Sequence, residues 1–397
     1  MEDVYIVAYG RSAVGKGNKK GVFYGARPDD VAAEVLEGVI NRINGRFKSE
    51  MIDDIIVGCA YPEGLQGQNI ARNIALRAGL PVTVSGQTVN RFCASGLQAI
   101  ATGANAIAAG QAEVIAAGGV ELMSSTPIGG NEPTNNPYLQ EYGPKVATPM
   151  GVTAENVAKK FNISAKEQNV FALESHYRAH QAQQKQRFDD EIIPVKVPVI
   201  KRTKTGLYNT EKVVVKDEGV RPTSTLETLN NLPTLFHVNG SVTAGNSSQI
   251  SDGAGFVILM SKSAVEKNGV KPIARVVSYK VVGVDPEIMG IGPVYAIPEV
   301  LETAGLSLSD IDLIELNEAF AAQAIACIQK LGLDMAKTNV NGGAIALGHP
   351  LGATGAILTA RLLAEMKKRR SARYGMVSMC IGNGMGAAAI FEYLGNE

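Results

Sequence analysis

Apolar and polar positions alternate with two different periods along the first 120 residues. Short apolar runs such as "VYIVAYG" and "AEVIAAGG" have the length of buried strands, whereas "DDVAAEVLEGVINRI" and "NIARNIALRAGL" place apolar residues three or four positions apart, as amphipathic helices do. The segments "IDDIIVGCA", "GQTVN" and "SGLQAIATGANAIAAG" continue the alternation. The pattern therefore predicts a βαβαβαβ unit.

Residues 271–397 repeat this order of elements. The corresponding segments are "IARVVSYKVVGV", "YAIPEVLETAGL", "IDLIELN", "EAFAAQAIACIQKLG", "TNVNGG", "GATGAILTARLLAEM" and "GMVSMCIGNG". We interpret the repetition as an internal duplication of one α/β unit. The segment "TNVNGG" then takes the place of the strand "GQTVN" of the first half.

Residues 121–243 interrupt the pattern. Pro, Asn and Gly are frequent in "STPIGGNEPTNNPYLQEYGPKVATPMG", a polar helix begins at a capping box of Ser164 and Glu167, and the charged stretch "KRTKTGLYNTEKVVVKDEGVR" follows. The segment "SDGAGFVILMSKSAV" then returns to strand and helix character. We predict a first unit of residues 1–120 and 244–270, an inserted loop or lid domain of residues 121–243, and a second unit of residues 271–397.

The helix that follows Cys93 is apolar almost all round, since only Gln98, Thr102 and Asn105 are polar in the range Leu97–Gly110. Such a helix is buried on several sides, and its many Ala and Gly residues let neighbouring elements approach closely. The matching helix of the second half begins with equally small residues. Two such helices between two sheets predict an α/β protein with a duplicated five-layer α-β-α-β-α fold and an inserted loop domain.

Composition restricts the classes of protein that fit. With 397 residues, 45% apolar and 19% charged, the chain is globular and expected to hold more than one core. Lys plus Arg equals Asp plus Glu at 38 each, so no overall charge favours nucleic acid or a membrane surface. No apolar run reaches the roughly 18–20 residues of a membrane span. The first residues do not resemble a secretory signal, and the cysteines have no disulfide or zinc spacing. We therefore expect a cytoplasmic protein.

Cys93 and His349 occupy equivalent places in the two halves, each just before a buried helix. A cysteine at a helix start meets the positive end of the helix dipole and free N–H groups, which favour the thiolate, and an adjacent imidazole would complete a nucleophile–base pair. The alternatives are an ordinary buried cysteine and a core histidine. The glycines around His349 favour a functional role, because they indicate close approach of another group.

Cys380 ends a strand that runs into Gly382, Gly384 and Gly386. This run lacks the following helix and the downstream acid of a dinucleotide-binding motif, so no nucleotide redox cofactor is expected. It offers instead backbone N–H groups that can hold an oxyanion beside a thiol that moves a proton. Asn317 is either a helix N-cap or the holder of a water or oxyanion.

Other candidate ligands carry weaker signals. His176 and His180 have helical spacing, but the metalloprotease glutamate is missing and their neighbours are solvated, so no metal site is predicted there. Cys59 and Cys327 lie in apolar runs and are expected in the core, and Glu318 is expected to support its neighbours rather than act as a base.

Together these residues resemble the thiolase family of acetyl-CoA acyltransferases. The segments that carry the resemblance, in order and over essentially the whole chain, are "NRFCASGLQAI", "MGVTAENVA", "SVTAGNSSQISDGA", "NEAFAAQ", "NVNGGAIALGHPLGATGA" and "CIGNGMGAAAIFE". The resemblance implies the five-layer fold, coenzyme A (CoA) as a substrate, and no metal. It also implies a homodimer or homotetramer.

The resemblance further implies a ping-pong reaction on 3-ketoacyl-CoA. His349 would activate Cys93, the acyl group would pass to its sulfur while acetyl-CoA leaves, and Cys380 would move the protons of the enolate and of the incoming CoA. Oxyanions would be held by His349 with a water on Asn317, and by the N–H groups of Cys93 and Gly382. The residues expected at the CoA site are Arg221, Ser248, Ala319, Phe320 and Met150.

Two departures from the family pattern bear on the substrate. Pro149-Met150-Gly151 resembles degradative members of broad chain length, whereas biosynthetic members usually carry His-Met, and Asn383 replaces a glycine common in the last motif. We expect thiolysis of the β-oxidation type, with condensation of two acetyl-CoA as the alternative. Competing hypotheses are a ketoacyl-carrier-protein synthase, which lacks the second cysteine, a structural zinc site formed by Cys93, His349 and Cys380, and a non-enzymatic acyl-CoA carrier.

Overall fold

A computed structural model describes residues 2–143, 145–203, 206–369 and 371–395, so two positions of the predicted charged stretch lie outside the described residues. The strands are β1 (Val4–Arg11), β2 (Gly15–Lys16), β3 (Asp54–Gly58), β4 (Ser85–Val89), β5 (Val114–Leu122), β6 (Val195–Thr203), β7 (Gly206–Val214), β8 (Ser251–Ser261), β9 (Ala274–Gly283), β10 (Leu313–Leu316), β11 (Tyr374–Ile381) and β12 (Met385–Tyr393). The helices are α1 (Pro28–Ile40), α2 (Ile70–Arg77), α3 (Ser95–Ala108), α4 (Pro137–Glu141), α5 (Met150–Lys160), α6 (Ala165–Gln184), α7 (Leu226–Asn230), α8 (Lys262–Asn268), α9 (Gly292–Ala304), α10 (Ala321–Leu331), α11 (Ala344–Leu347) and α12 (Thr354–Lys367).

The strands of the two halves pair in the same way. In the first half β3 is parallel to β5, β5 is antiparallel to β8, and β8 is antiparallel to β1. In the second half β10, β11, β12 and β9 repeat this series of one parallel and two antiparallel pairings. β1 and β9 join the halves through Tyr5–Arg275 and Ile6–Ala274, and β4 forms the far edge beside β3. The two halves therefore share one pattern of strand pairing, as the predicted duplication requires.

Helices cover the strands in five layers, as the sequence predicts. α1 and α2 pack on one face of the first half, and α9 with α10 forms the core on the outer face of the second half. α3 and α12 lie between, in contact with each other and with strands of both halves. The apolar character of these two helices on all sides follows from that central position, because each has neighbours in three directions.

Glycine allows the two central helices to meet at their first turns. A Cβ atom at Gly355 would lie 2.2 Å from the backbone nitrogen of Leu97, and one at Gly96 would lie 2.9 Å from the carbonyl oxygen of Gly352. No side chain fits at that contact. The segments that carry Cys93 and His349 therefore converge.

The inserted segment packs on both halves. α5 and α6 contact α10, α6 also contacts α11, and β6 of the β6–β7 hairpin contacts α1. The predicted capping box at Ser164 is present at the start of α6. β8 then returns between β1 and β5 of the first half. The boundaries of the three predicted domains stay a prediction.

One predicted strand is wrong. Around "TNVNGG" the structure has a single bridge between Ile314 and Thr338 instead of a strand. Asn339 and Gly342 have φ angles of 47° and 79°, which turn the chain away from an extended path.

In the part of the chain that the structure describes, every helix is too short or too polar to cross a bilayer.

Candidate active site

Cys93 lies in a tight turn between β4 and α3, within the 3₁₀ helix Phe92–Ala94. Phe92 has a φ angle of 43°, which is strained for a bulky residue. Two side chains hold this turn: Asn90 Oδ1 accepts the Phe92 N–H at 2.8 Å, and Ser95 Oγ donates to the Phe92 carbonyl at 2.6 Å. The turn places the sulfur in the wall of a cavity.

His349 follows α11, and its ring has a defined proton position. Thr354 Oγ1 donates its hydrogen to the Pro350 carbonyl at 2.9 Å, so it accepts a hydrogen bond from His349 Nδ1 at 2.6 Å. Nδ1 therefore carries the proton, and Nε2 carries the lone pair that can accept one. Burial lowers the pKa of His349 to about 4, which keeps the ring neutral at pH 7. His349 is thus set up to accept a proton at Nε2.

Asn317 does not cap a helix, because α10 begins at Ala321 with Phe320 in the cap position. Its amide Nδ2 lies 3.2 Å from His349 Nε2 and donates to that lone pair, while its Oδ1 is buried without a hydrogen-bond partner. A buried acceptor without a partner is costly unless a ligand or water completes it. This geometry fits the second of the two roles considered for Asn317.

The electrostatics of Cys93 differ from the expectation of a thiolate. Burial raises the pKa of the Cys93 thiol to about 11, although the backbone N–H groups of Gly382 and of Cys93 itself oppose the shift. Desolvation outweighs these donors because the sulfur is almost fully enclosed. The resting pair is therefore a neutral thiol and a neutral imidazole.

Cys380 lies near the end of β11 and is fully buried. Burial raises the pKa of its thiol well above the ordinary value, and negative charge on Cys93 or Cys327 would raise it further. Cys380 packs with Met289 and Ala319, both of which line the cavity, but Cys380 itself is not among the lining residues.

A cavity of about 630 Å³ contains Cys93 and His349 at one end. All of the predicted CoA-site residues line it: Met150, Arg221, Ser248, Ala319 and Phe320. Sequence reasoning missed the loop of Lys16 and Asn18, and Leu235 with Phe236, which also line it. The lysine-rich segment "GKGNKK" was the available signal for the first of these.

A second cavity of about 240 Å³ adjoins the first at Cys93. It contains Gly382, the oxyanion donor that the sequence predicts, and extends past Phe92 and Thr148 to Asn383. Cys93 therefore lies where two cavities meet, the larger one bounded by Arg221 and the smaller one by Asn383.

Two buried carboxylates hold the loops around the site. Glu318 accepts Ser175 Oγ at 2.7 Å and Asn339 Nδ2 at 2.9 Å, which fixes the segment next to Asn317. Glu121, which sequence reasoning missed, accepts the backbone N–H groups of Ala60 at 2.7 Å and of Gly352 at 2.8 Å. It thereby ties the loop after β3 to the loop after His349.

His176, which sequence reasoning gave no role, is buried. Its Nδ1 accepts the backbone N–H of Arg221 at 3.1 Å, and burial, followed by the charge of Arg221, lowers its pKa to about 4. His176 thus positions Arg221, which lines the larger cavity. Cys59 and Cys327 are buried, as expected. Among the described residues no three His, Cys, Asp or Glu side chains are grouped closely enough to hold a metal ion, so the zinc hypothesis has no geometric support.

Comparison with known proteins supplies the family. The model of the thiolase N-terminal domain matches residues 4–263 and that of the thiolase C-terminal domain matches residues 270–393. The 3-ketoacyl-CoA thiolase of Bacillus subtilis is 50% identical over 99% of this chain and 100% of its own length.

Two solved structures share the fold over nearly their full lengths. The dimeric peroxisomal thiolase of Saccharomyces cerevisiae has a TM-score of 0.89 and 41% identity, covering 99% of this chain and 98% of that one. The human mitochondrial 3-ketoacyl-CoA thiolase in complex with CoA has a TM-score of 0.87 and 39% identity, covering 99% and 98%. With the shared motifs, the five-layer fold and full-length matches in agreement, this chain belongs to the thiolase family.

Proposed function

We propose that this protein catalyses the thiolytic cleavage of 3-ketoacyl-CoA by CoA, through an acyl group carried on Cys93. One observation carries the proposal: the buried Cys93 thiol lines both cavities, a neutral imidazole with its lone pair at Nε2 lines the larger one, and Gly382, whose N–H faces the sulfur, lines the smaller one. The names of the matched relatives support the same reaction. The chain is accordingly an acyltransferase.

In the first half-reaction His349 Nε2 takes the proton of Cys93, and the sulfur attacks the C3 carbonyl of the substrate. The negative charge that forms on the C3 oxygen is stabilised by the backbone N–H groups of Cys93 and Gly382, the groups that face the sulfur. The C2–C3 bond then breaks, and its electrons form the enolate of acetyl-CoA. Cys380 gives its proton to C2, which leaves acyl-Cys93 and acetyl-CoA.

In the second half-reaction Cys380, now a thiolate, takes the proton of an incoming CoA. The CoA sulfur attacks the Cys93 thioester, and Cys93 leaves as a thiolate that receives its proton back from His349. High thiol pKa values suit this order of steps, because neither sulfur is ionised before substrate enters. The same steps in reverse form a carbon–carbon bond, which is the alternative direction, condensation of two acetyl-CoA.

The larger cavity suits CoA. Its wall includes the cationic side chains of Lys16 and Arg221, which match the phosphates of CoA, while Leu235, Phe236 and Phe320 offer apolar surface for the pantetheine chain. The position of Arg221 depends on the His176 hydrogen bond described above.

We also propose a homodimer in a cytoplasmic setting. β4 is an edge strand with partly exposed residues, and an unpaired edge is a natural site for pairing with a second copy. A dimeric relative supports the dimer rather than the tetramer. The free, scattered cysteines support a reducing compartment. Light scattering should give twice the chain mass of 41.8 kDa, and a monomeric mass would contradict the dimer.

The decisive experiment measures turnover and the covalent intermediate together. Wild-type protein with acetoacetyl-CoA and CoA should release acetyl-CoA. Without CoA, the intact mass of wild-type protein should show an acetyl group bound to Cys93 as a thioester. Cys93→Ser should not form this thioester. A carrier would bind acyl-CoA without releasing acetyl-CoA. Absence of both turnover and adduct in the folded protein would reject the proposed function.

A further inference from the structure

The smaller cavity has a place in the reaction that follows from its position. When CoA fills the larger cavity and C3 of the substrate bonds to Cys93, the rest of the acyl chain has to leave the sulfur in another direction. The smaller cavity opens at Cys93 and Gly382. It shares part of its wall with the larger one, at Ile128, Pro149, Met150, Met289 and Leu351, but Arg221 and Ser248 do not line it. It is therefore the space available for the acyl tail, which rests on the function proposed above.

The walls of this cavity change in character along its length. Near the sulfur they are apolar and largely buried: Phe92, Met289 and Leu351. The exposed lining residues are the amides of Asn135 and Asn383 together with apolar Ile128, Ala147 and Pro149, and Thr148 adds a half-buried hydroxyl. No charged side chain lines the cavity in the described ranges. A tail that fits both parts is apolar near C3 and carries an uncharged hydrogen-bonding group farther out.

Among the polar residues that line the smaller cavity, Asn383 is next in sequence to Gly382, one of the proposed oxyanion donors. It follows Gly382, whose N–H faces the Cys93 sulfur, and consecutive Cα atoms are about 3.8 Å apart. The backbone of Asn383 has a φ angle of 65°, a conformation that glycine and asparagine accept most readily. Asparagine thus keeps the turn that glycine would allow and adds a carboxamide to the wall of the cavity.

We propose that Asn383 is a specificity-determining residue, whose carboxamide favours acyl tails with a neutral hydrogen-bonding group, such as a hydroxyl, over plain alkyl tails of equal length. A hydroxyl on the tail replaces the water that the exposed amide otherwise binds. An alkyl tail covers the amide without replacing that water, which costs free energy.

The test compares two substrates, 3-ketooctanoyl-CoA and its 8-hydroxy derivative, as a ratio of kcat/KM values. Asn383→Gly removes the carboxamide and keeps the backbone conformation unstrained, so the ratio of hydroxylated to plain substrate should fall about three-fold or more. The ratio is insensitive to a general loss of activity. An unchanged or higher ratio in Asn383→Gly would overturn the proposal.

A matched control separates the backbone from the side chain. Asn162 is also an asparagine with a positive φ angle, 55°, and lines neither of the two cavities. Asn162→Gly should leave both kcat/KM values at the wild-type level. The proposed function fails separately, and visibly, if wild-type protein cleaves neither substrate nor acetoacetyl-CoA. If wild-type protein cleaves them but the ratio does not respond to Asn383→Gly, only the role of Asn383 is rejected.

Discussion

The hydrogen bond from His349 to Thr354 determines whether the imidazole is a base at Nε2. In Thr354→Val the side chain keeps its shape but loses the oxygen 2.6 Å from Nδ1. The ring then either leaves a buried N–H without an acceptor or moves its proton to Nε2, where it cannot accept the proton of Cys93. The imidazolium formed during the reaction also needs this acceptor. The variant should therefore react more slowly, in addition to holding the ring less firmly.

The expected loss follows from the cost of that unpaired group. A buried donor without a partner costs about 1–3 kcal/mol, which corresponds to a fall in kcat/KM of roughly 5- to 150-fold. Two assays report on it: the rate of thiolysis, and the rate at which iodoacetamide alkylates Cys93, followed by intact mass. Both should fall together, because both depend on removal of the same proton.

Thr359 provides the matched control. It lies on the same helix, is fully buried, and donates to the Gly355 carbonyl at 2.8 Å, as Thr354 does to Pro350. Thr359→Val should lower thermal stability by a similar amount and leave both rates near wild type. If Thr354→Val stays within two-fold of Thr359→Val in both rates, the assigned role of the His349–Thr354 bond is wrong.

Three further predictions use the same assays. Cys93→Ala should abolish thiolysis without unfolding the protein, whereas Cys380→Ala should still form acyl-Cys93 but turn over slowly; equal turnover in Cys380→Ala and wild type would remove Cys380 from the mechanism. Because burial lowers the pKa of His349 to about 4, alkylation of Cys93 should persist to pH 5 and decline only as the pH falls through about 4. Circular dichroism at each pH checks that the protein stays folded. A decline centred near ~6.5, the ordinary pKa of imidazole, would contradict the assigned burial. Gly355→Ala should lower the free energy of unfolding by about 3 kcal/mol or more, since its Cβ would lie 2.2 Å from the Leu97 nitrogen. Gly283→Ala is the control and should change that free energy little, because a Cβ there lies in open space. Equal effects of the two variants in thermal melts would refute the packing argument.

Much of the architecture was predictable because periodicity reports burial directly. The strand and helix order of both halves, the central position of α3 and α12, and the return of β8 to the first sheet all follow from apolar patterns. The convergence of Cys93 and His349 follows from duplication, since equivalent helices in two halves meet at a pseudo-symmetry axis. The "TNVNGG" strand failed because duplication alone predicted it, while Asn and Gly at positive φ turn the chain there.

Other features depend on long-range contacts that no local pattern reveals. The direction of the Cys93 pKa shift results from how deeply the assembled protein encloses the sulfur, which outweighs the local helix start. Glu121 and His176 read as an ordinary strand residue and an ordinary helix residue in the sequence. Their partners, Gly352 and Arg221, come from distant segments.

The inserted segment and the reacting groups occupy separate stretches of the polypeptide. Cys93, Asn317, His349 and Cys380 all lie outside residues 121–243, whereas the insertion contributes much of the wall that a substrate touches, including Arg221. Recombination that exchanges this one cassette but keeps Glu121 and Ser175, whose hydrogen bonds hold loops of the site, would therefore alter which thioesters are accepted and leave the bond-making steps intact. Such modularity offers a route by which one ancestral scaffold diversifies, and a practical starting point for grafting new substrate ranges onto it.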